Sequence, residues 1–145
     1  MNENMIATSG AFDIIHADHI NLFKQMKRYD NKNRFSFFHV TVFLNSDESV
    51  IANRGKPPLI EQRQRKEVLE SIRWINAVHY FDEKHPHKVI EMFKPAVWAK
   101  GGDYDIEKMQ STPIVRAYGG EVITIPHRYG IHSSDIARRA IELCK

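Results

Sequence analysis

Cysteine is almost absent from this chain of 145 residues, whose one thiol is Cys144, next to the carboxyl terminus. A single cysteine cannot form an internal disulfide, which favours a reducing compartment. Long apolar runs are also lacking: the longest near-apolar stretch, Phe35 to Leu44, is broken by polar side chains and is too short to span a bilayer. Because Met1 to Met5 carry no signal-peptide core, we expect a cytoplasmic protein with no membrane partner.

Charge of one sign is not in large excess, because 21 Lys and Arg face 18 Asp and Glu, a formal net charge of +3. The sequence pI near 9.0 fits an anionic ligand, but the basic residues are scattered, apart from the patch Arg63 to Lys66. We therefore expect no nucleic-acid partner. A nucleic-acid-binding domain remains an alternative on the pI alone, and it would bind with a strong dependence on salt.

Strand and helix patterns alternate along the chain, and its length fits one domain, residues 1–145. The predicted strands are Met5–Ser9, Arg34–Leu44, Ala77–Phe81, Ala96–Lys100 and Glu121–Pro126. The predicted helices are Ala17–Arg28, Glu61–Ile75, Pro86–Phe93, Thr112–Tyr118 and Ser133–Leu143. The polar segment Asn45–Pro58, with its glycine and prolines, is predicted to be a loop. This alternation predicts an α/β fold, a Rossmann-like, doubly wound, parallel five-stranded sheet with helices on both faces.

Ligands of such folds bind beyond the carboxyl ends of the strands, where the strand order reverses. The segments that follow the predicted strands are Gly10–His19, Asn45–Pro58, Lys100–Tyr104 and His127–Ser134. Most of the unusual side chains of the sequence lie in these segments. We therefore expect the functional site there.

Two histidines, His16 and His19, lie three residues apart at a predicted helix start. Such a start presents free backbone N–H groups and a partial positive charge. A phosphate bound there would meet imidazole and amide donors together. An isolated H-x-x-H pattern is also typical of solvated helix-start residues, so the pair needs support from its context.

That context is the segment Gly10–His19, which resembles the G-x-F-D-x-x-H-x-G-H signature of the cytidylyltransferase-like nucleotidyltransferase superfamily. The signature requires a strand before it and a helix after it, and both are predicted. Further similar segments follow in order: Asn45–Val50, Arg54-Gly55, Arg65–Leu69, Phe81–Glu83, Lys94-Pro95, Lys100–Tyr104 and Gly130–Ile136. The chain most resembles the nucleotidyltransferase domain of ADP-heptose synthases, and it is similar to glycerol-3-phosphate cytidylyltransferases as well.

The resemblance implies roles for individual residues. His16 and His19 would contact the nucleotide phosphates, and arginines would neutralise phosphate oxygens. The implied catalytic residues are His16, His19, Arg54 and Arg65, and the implied nucleotide-binding residues are Gly10, Ala11, Phe12, Asp13, Lys100, Gly101, Asp103, Tyr104, Ser133 and Ser134. Asp13 would be structural or would orient the site. Mg²⁺ or another divalent cation is implied, with unknown protein ligands, and so is a homodimer.

The implied reaction is attack by a phosphate oxygen of a phosphorylated small molecule on the α-phosphorus of a nucleoside triphosphate, with pyrophosphate as leaving group. It needs no protein nucleophile, so catalysis rests on positioning and charge stabilisation. We expect ATP as nucleotide and a sugar phosphate or polyol phosphate as acceptor. The same chemistry with CTP, of the glycerol-3-phosphate type, is the open alternative.

Three positions depart from the family pattern. Asp18 stands where the signature has glycine, Arg54 stands for lysine, and His132-Ser133-Ser134 stands for Ser-Thr-Thr. A carboxylate at position 18 should repel phosphate unless it turns away or helps to hold a metal. A non-catalytic nucleotide-binding module is therefore a further alternative.

Overall fold

The computed structural model describes residues 1–30 and 37–145. It contains the strands β1 (Asn2–Gly10), β2 (His39–Asn45), β3 (Ala77–Phe81), β4 (Pro95–Gly101) and β5 (Glu121–Ile125). Its helices are α1 (Ala17–Lys27), α2 (Asp47–Arg54), α3 (Gln62–Glu70), α4 (His87–Phe93), α5 (Ser111–Ala117) and α6 (Ser133–Leu143), with a 3-10 turn at Ile106–Lys108. In this part of the chain no helix has the length and apolar character needed to cross a bilayer.

The five strands form one parallel sheet in the order β3-β2-β1-β4-β5. The strand order reverses between β1 and β4, so a crevice opens there at the carboxyl edge. Gly10 ends β1 and Gly101 ends β4 at this edge. The predicted Rossmann-like, doubly wound, five-stranded sheet is confirmed.

Successive side chains of a strand point to opposite faces of the sheet, and helices cover both faces. Ile6 of β1 belongs to a core cluster with Phe23 of α1 and Leu69 of α3. Its neighbour Ala7 belongs to a second cluster with Ile90 of α4 and Val115 of α5. The predicted helices on both faces are therefore present.

One predicted loop is wrong, because Asn45–Pro58 contains helix α2. Ser46 caps this helix, since its side chain accepts a hydrogen bond from the backbone N–H of Ser49 at 3.1 Å. The helix ends at Gly55, whose φ of 76° is left-handed. The cap and the end glycine were visible in the sequence, but the helix contributes few apolar side chains to a periodic pattern.

The two largest differences between predicted and observed boundaries lie in β2 and α3. The strand predicted at Arg34–Leu44 begins at His39, and the part of that prediction within residues 31–36 lies outside the described residues. The helix predicted at Glu61–Ile75 ends at Glu70. There the hydroxyl of Ser71 donates to the carbonyl of Val68 at 2.6 Å, a local bond that competes with helix continuation.

Candidate functional site

The loop after β1 begins with a tight packing of Gly10 against Phe12. A Cβ atom on Gly10 would lie 2.9 Å from Cε2 of Phe12, so only glycine fits without movement. Phe12 has a left-handed φ of 45°, and its ring meets that of His19 edge-on with centroids 5.2 Å apart. The side chain of Phe12 is buried, so any nucleotide contact by Gly10 or Phe12 would come from the backbone.

Asp13 ties this loop to the segment before α3. Its Oδ2 accepts the backbone N–H of Leu59 and its Oδ1 that of Ile60, each at 2.8 Å. Asp13 is buried, and both carboxylate oxygens are engaged. This arrangement fits the expected orienting role, whereas contact with nucleotide stays a prediction.

His16 and His19 stack at the start of α1, with ring centroids 3.8 Å apart. The backbone N–H of His16 donates to Nδ1 of His19 at 3.3 Å. Burial, with the nearby His16 and His127, lowers the pKa of His19 to about 4. The ring is therefore neutral near pH 7, and because Nδ1 accepts, the proton resides on Nε2. Nε2–H can then donate to a phosphate oxygen.

The other residue of the pair, His16, occupies the N-cap position of α1 with extended backbone angles. Its Nδ1 is buried and has no hydrogen-bond partner among the described residues. Burial also lowers the pKa of His16. An unsatisfied polar atom of this kind is uncommon and often marks a functional site.

Arg65 lies beneath the site and does not face it. Its guanidinium donates to the carbonyls of Ile60 at 2.8 Å, Ala11 at 2.7 Å and Asn45 at 2.8 Å, and to the Asp47 carboxylate at 2.7 Å. The side chain is 0% exposed. The expectation that Arg65 neutralises phosphate therefore needs correction in this conformation, because its donors already join the ends of β1 and β2 to α2 and α3.

Arg54 occupies a different environment, in the last turn of α2. It is exposed and forms no hydrogen bond or ion pair with another described residue. Its exposed guanidinium is free to meet a bound anion. Its phosphate contact stays a prediction.

The segment Lys100–Tyr104 spans the end of β4, on the other side of the crevice. Nζ of Lys100 lies over the ring of Tyr104, 4.7 Å from its centroid, and burial lowers the pKa of Lys100. A Cβ atom on Gly101 would lie 3.4 Å from Cδ2 of Leu22 in α1, while Asp103 and Tyr104 are exposed. Base or ribose contact by these residues stays a prediction.

The amino end of α6 reaches the first loop, since the hydroxyl of Ser133 donates to the carbonyl of Ile14 at 2.9 Å. Ser134 is exposed beside it. The structure thus brings Ser133 and the loop that leads to His16 into contact. The free N–H groups of α6 are available for an anion there.

Asp18, which replaces the signature glycine, directs its carboxylate at the backbone of the β5–α6 loop. Its carboxylate is 0% exposed and accepts backbone hydrogen bonds from Arg128, Tyr129 and Ile131. Burial alone would raise the pKa of Asp18, but these bonds outweigh it and the pKa lies below its ordinary value. The observation that motivated a non-catalytic module therefore no longer supports it.

His127 and Gly102 are two members of the site that the sequence did not single out. Nδ1 of His127 lies 3.8 Å from Oδ2 of Asp18, and a Cβ on Gly102 would lie 3.0 Å from Nε2 of His127. Gly102 has a φ of 116°. The signal available in the sequence was only the placement of both residues directly after predicted strands.

The described residues do not fit a resident Mg²⁺ site. Within them, no group of three or more His, Cys, Asp or Glu side chains could hold a metal. The carboxylates of Asp13 and Asp18 are occupied by backbone N–H groups. Mg²⁺ is commonly held through substrate phosphates, and the divalent-cation expectation stays a prediction of that kind.

The chain is 31% identical over 139 residues to "Bifunctional protein HldE" of Koribacter versatilis (strain Ellin345), covering 95% of this chain and 27% of that protein. It is 36% identical over 139 residues to "Bifunctional protein HldE" of Marinomonas sp. (strain MWYL1), covering 95% of this chain and 28% of that protein. The chain thus spans little more than a quarter of these relatives.

A solved structure shares the fold. It is the crystal structure of the lipopolysaccharide core biosynthesis protein from Thermoplasma volcanium GSS1, with a TM-score of 0.65 and 22% identity, covering 85% of this chain and 94% of that one. A family model matches residues 7–139, nearly the whole chain. The chain therefore belongs to the family of nucleotidyltransferases described as cytidylyltransferase-like.

Proposed function

We propose that this chain transfers a nucleoside monophosphate, from ATP in preference to other triphosphates, to the phosphate of a sugar phosphate or polyol phosphate. The observation that carries the proposal is the stacked pair His16 and His19 at the amino end of α1. It lies beside the β1–β4 crevice of a fold whose ligands bind at that edge. The family assignment supports nucleotidyl transfer as the class of reaction.

The reaction forms a bond between an acceptor phosphate oxygen and the α-phosphorus, and it breaks the bond from that phosphorus to the oxygen bridging to the β-phosphate. Pyrophosphate carries away the electron pair. Neutral His19 donates from Nε2 to a phosphate oxygen that gains charge, because its Nδ1 is held by the backbone of His16. The free N–H groups of α1 and α6 supply further donors.

The preference for ATP and a sugar phosphate rests on similarity. The segment Lys100–Tyr104 resembles the nucleotidyltransferase domain of ADP-heptose synthases, and the relatives described above carry the name "Bifunctional protein HldE". The sugar itself, a homodimeric assembly and a requirement for Mg²⁺ belong to the proposal as well.

The experiment compares ATP, CTP, GTP and UTP in thermal unfolding, each with and without Mg²⁺. A ligand at a hundred times its Kd stabilises the fold by about 2.7 kcal/mol, which is a shift of several degrees. We expect the largest shift with ATP. A shift with CTP alone would replace the proposal by a cytidylyltransferase, and no shift with any of the four would contradict nucleotide binding.

A matched pair of histidine variants tests the mechanism. His16→Ala with His19→Ala should lower kcat by on the order of a hundredfold or more, since each lost donor is worth about 3 kcal/mol. The control is His85→Ala with His87→Ala, which removes the other stacked histidine pair, with centroids 5.3 Å apart, after β3. Near-normal turnover of the first variant would overturn the assigned role.

A further inference from the structure

The carboxylate of Asp18 joins the first turn of α1 to a loop more than 100 positions away in the chain. Oδ1 accepts the backbone N–H of Arg128 at 2.8 Å and that of Tyr129 at 2.9 Å. Oδ2 accepts the N–H of Ile131 at 3.1 Å. Three backbone donors thus converge on one fully buried carboxylate, which is an arrangement that only a specific chain path can provide.

The loop that these bonds hold has few other attachments. Residues 126–132 connect β5 to α6 without regular structure, and Tyr129 is 65% exposed. Helix α6 buries none of its residues. Among the described residues, the hydrogen bonds that join this loop and the amino end of α6 to the first loop and α1 are those of Asp18 and that of Ser133 to Ile14.

The same loop delivers a histidine to the crevice. His127 lies 3.8 Å from Asp18, and its ring meets that of His132 edge-on with centroids 5.4 Å apart. Its Nε2 is against Gly102, after β4. His127 also acts electrostatically on both His16 and His19. Four histidines from α1 and the β5–α6 loop therefore gather near the buried carboxylate.

We propose that Asp18 is a positioning residue, which fastens the β5–α6 loop across the crevice and so places His127 and the amino end of α6 for the phosphates of the nucleotide. The proposal rests on the proposed function for its ligand. It also accounts for an aspartate at a signature glycine, since the carboxylate accepts three backbone hydrogen bonds and does not face the phosphates.

Amide hydrogen exchange, followed by NMR on the unliganded full chain, tests the fastening itself. Asp18→Asn can keep Oδ1 for Arg128 and Tyr129, but it places an NH2 group opposite the N–H of Ile131. We expect the exchange of Ile131 to quicken at least tenfold, with the other two amides nearly unchanged. Asp18→Gly, which restores the signature glycine, should quicken all three. Unchanged protection in both variants would overturn the proposal.

A matched control removes one carboxylate charge at the start of β5, the strand whose other end leads into the β5–α6 loop. Glu121 begins β5 and accepts the hydroxyl of Tyr29 at 2.8 Å, a bond that Glu121→Gln preserves. This variant should leave the exchange of Arg128, Tyr129 and Ile131 within twofold of the parent chain. Equal acceleration in the control would mean that a general charge effect, and not the fastening, protects the loop.

The positioning role is tested with ATP as probe. We expect the Kd for ATP to rise about tenfold in Asp18→Gly, less in Asp18→Asn, and to stay within twofold in Glu121→Gln. Where turnover is measured, KM for ATP should rise in Asp18→Gly while kcat stays within about threefold of the parent value. Lowered stability alone would not produce this difference between KM and kcat. An unchanged Kd in a variant whose loop exchanges freely would overturn the positioning role.

The two hypotheses fail differently. If the parent chain binds no nucleotide, the proposed function and the positioning role fail together, while the exchange data still decide whether Asp18 holds the loop. If the parent chain binds ATP and releases pyrophosphate while Asp18→Gly does so with the same KM, the proposed function stands and only the inference about Asp18 is rejected.

Discussion

The guanidinium of Arg65 donates to the carboxylate of Asp47 at 2.7 Å, and the arginine side chain is completely buried. The same group donates to the backbone carbonyls of Ala11 and Asn45, which follow and end the two adjacent strands β1 and β2. A planar group with five donors suits such a junction, which a point-charge ammonium cannot reproduce. The ends of β1 and β2 beneath the site are therefore joined by Arg65, a residue that sequence similarity suggests as a phosphate ligand.

Arg65→Lys should lower the free energy of unfolding by about 3 kcal/mol, because buried carbonyls and Asp47 lose their donors. In a chain of this size that is a fall in Tm of roughly 10 °C. Urea and thermal unfolding measure it. Arg63→Lys is the control, since Arg63 is exposed on the same helix and should change Tm by less than about 2 °C. Equal effects of the two variants would contradict the buried junction.

Gly10→Ala should destabilise the chain by about 1–3 kcal/mol, since the new Cβ would lie 2.9 Å from the buried ring of Phe12. It should also disturb His19, whose ring contacts Phe12. Thermal unfolding measures the first effect. Combining Gly10→Ala with Phe12→Leu, which removes the clashing ring atoms, should restore part of the loss. No destabilisation by Gly10→Ala alone would contradict this packing.

Stability should fall as the pH is lowered from 6.5 to about 4, partly because of His19. Its pKa lies at about 4 in the folded chain against 6.5 for a free histidine, so the unfolded chain binds a proton that the folded chain excludes in this window. The effect of His19 is roughly 2 kcal/mol at the acid end, after allowance for its partial exposure.

Urea unfolding of the parent chain and of His19→Gln at pH 7, 6 and 5 isolates this contribution, because the other histidines, including His16 and His127, are common to both. The parent chain should lose more stability on acidification than the variant. Parallel pH profiles would show that His19 titrates normally in the folded chain.

The sheet could be predicted because its cause is local. Buried strands such as β2 are rich in β-branched and aromatic residues, and the helices between strands carry apolar residues at helical spacing. Helix α2 was missed because its cap at Ser46 and its end at Gly55 determine it more than any apolar period. Element order and topology were thus more predictable than one short capped helix.

The places of the candidate site residues in the fold were predictable, and their contacts were less so. His16 and His19 follow β1, and the segment Lys100–Tyr104 spans the end of β4, so both lie at the carboxyl edge of the parallel sheet. The burial of Arg65 and the reach of Asp18 to Ile131, 113 positions along the chain, are tertiary contacts that leave no local pattern. The resemblance implies that Arg65 neutralises phosphate oxygens. In the structure its guanidinium donates to backbone carbonyls and to the carboxylate of Asp47.

Pyrophosphate release by the unmodified chain tests the central claim most directly. The chain is incubated with Mg²⁺, one of ATP, CTP, GTP and UTP, and a panel of sugar phosphates and polyol phosphates, and pyrophosphate and the coupled nucleotide product are both quantified. We predict release that depends on one class of acceptor, is faster with ATP than with CTP and is lost with His16→Ala and His19→Ala combined. Nucleotide binding without acceptor-dependent release from any of the four triphosphates would contradict the account.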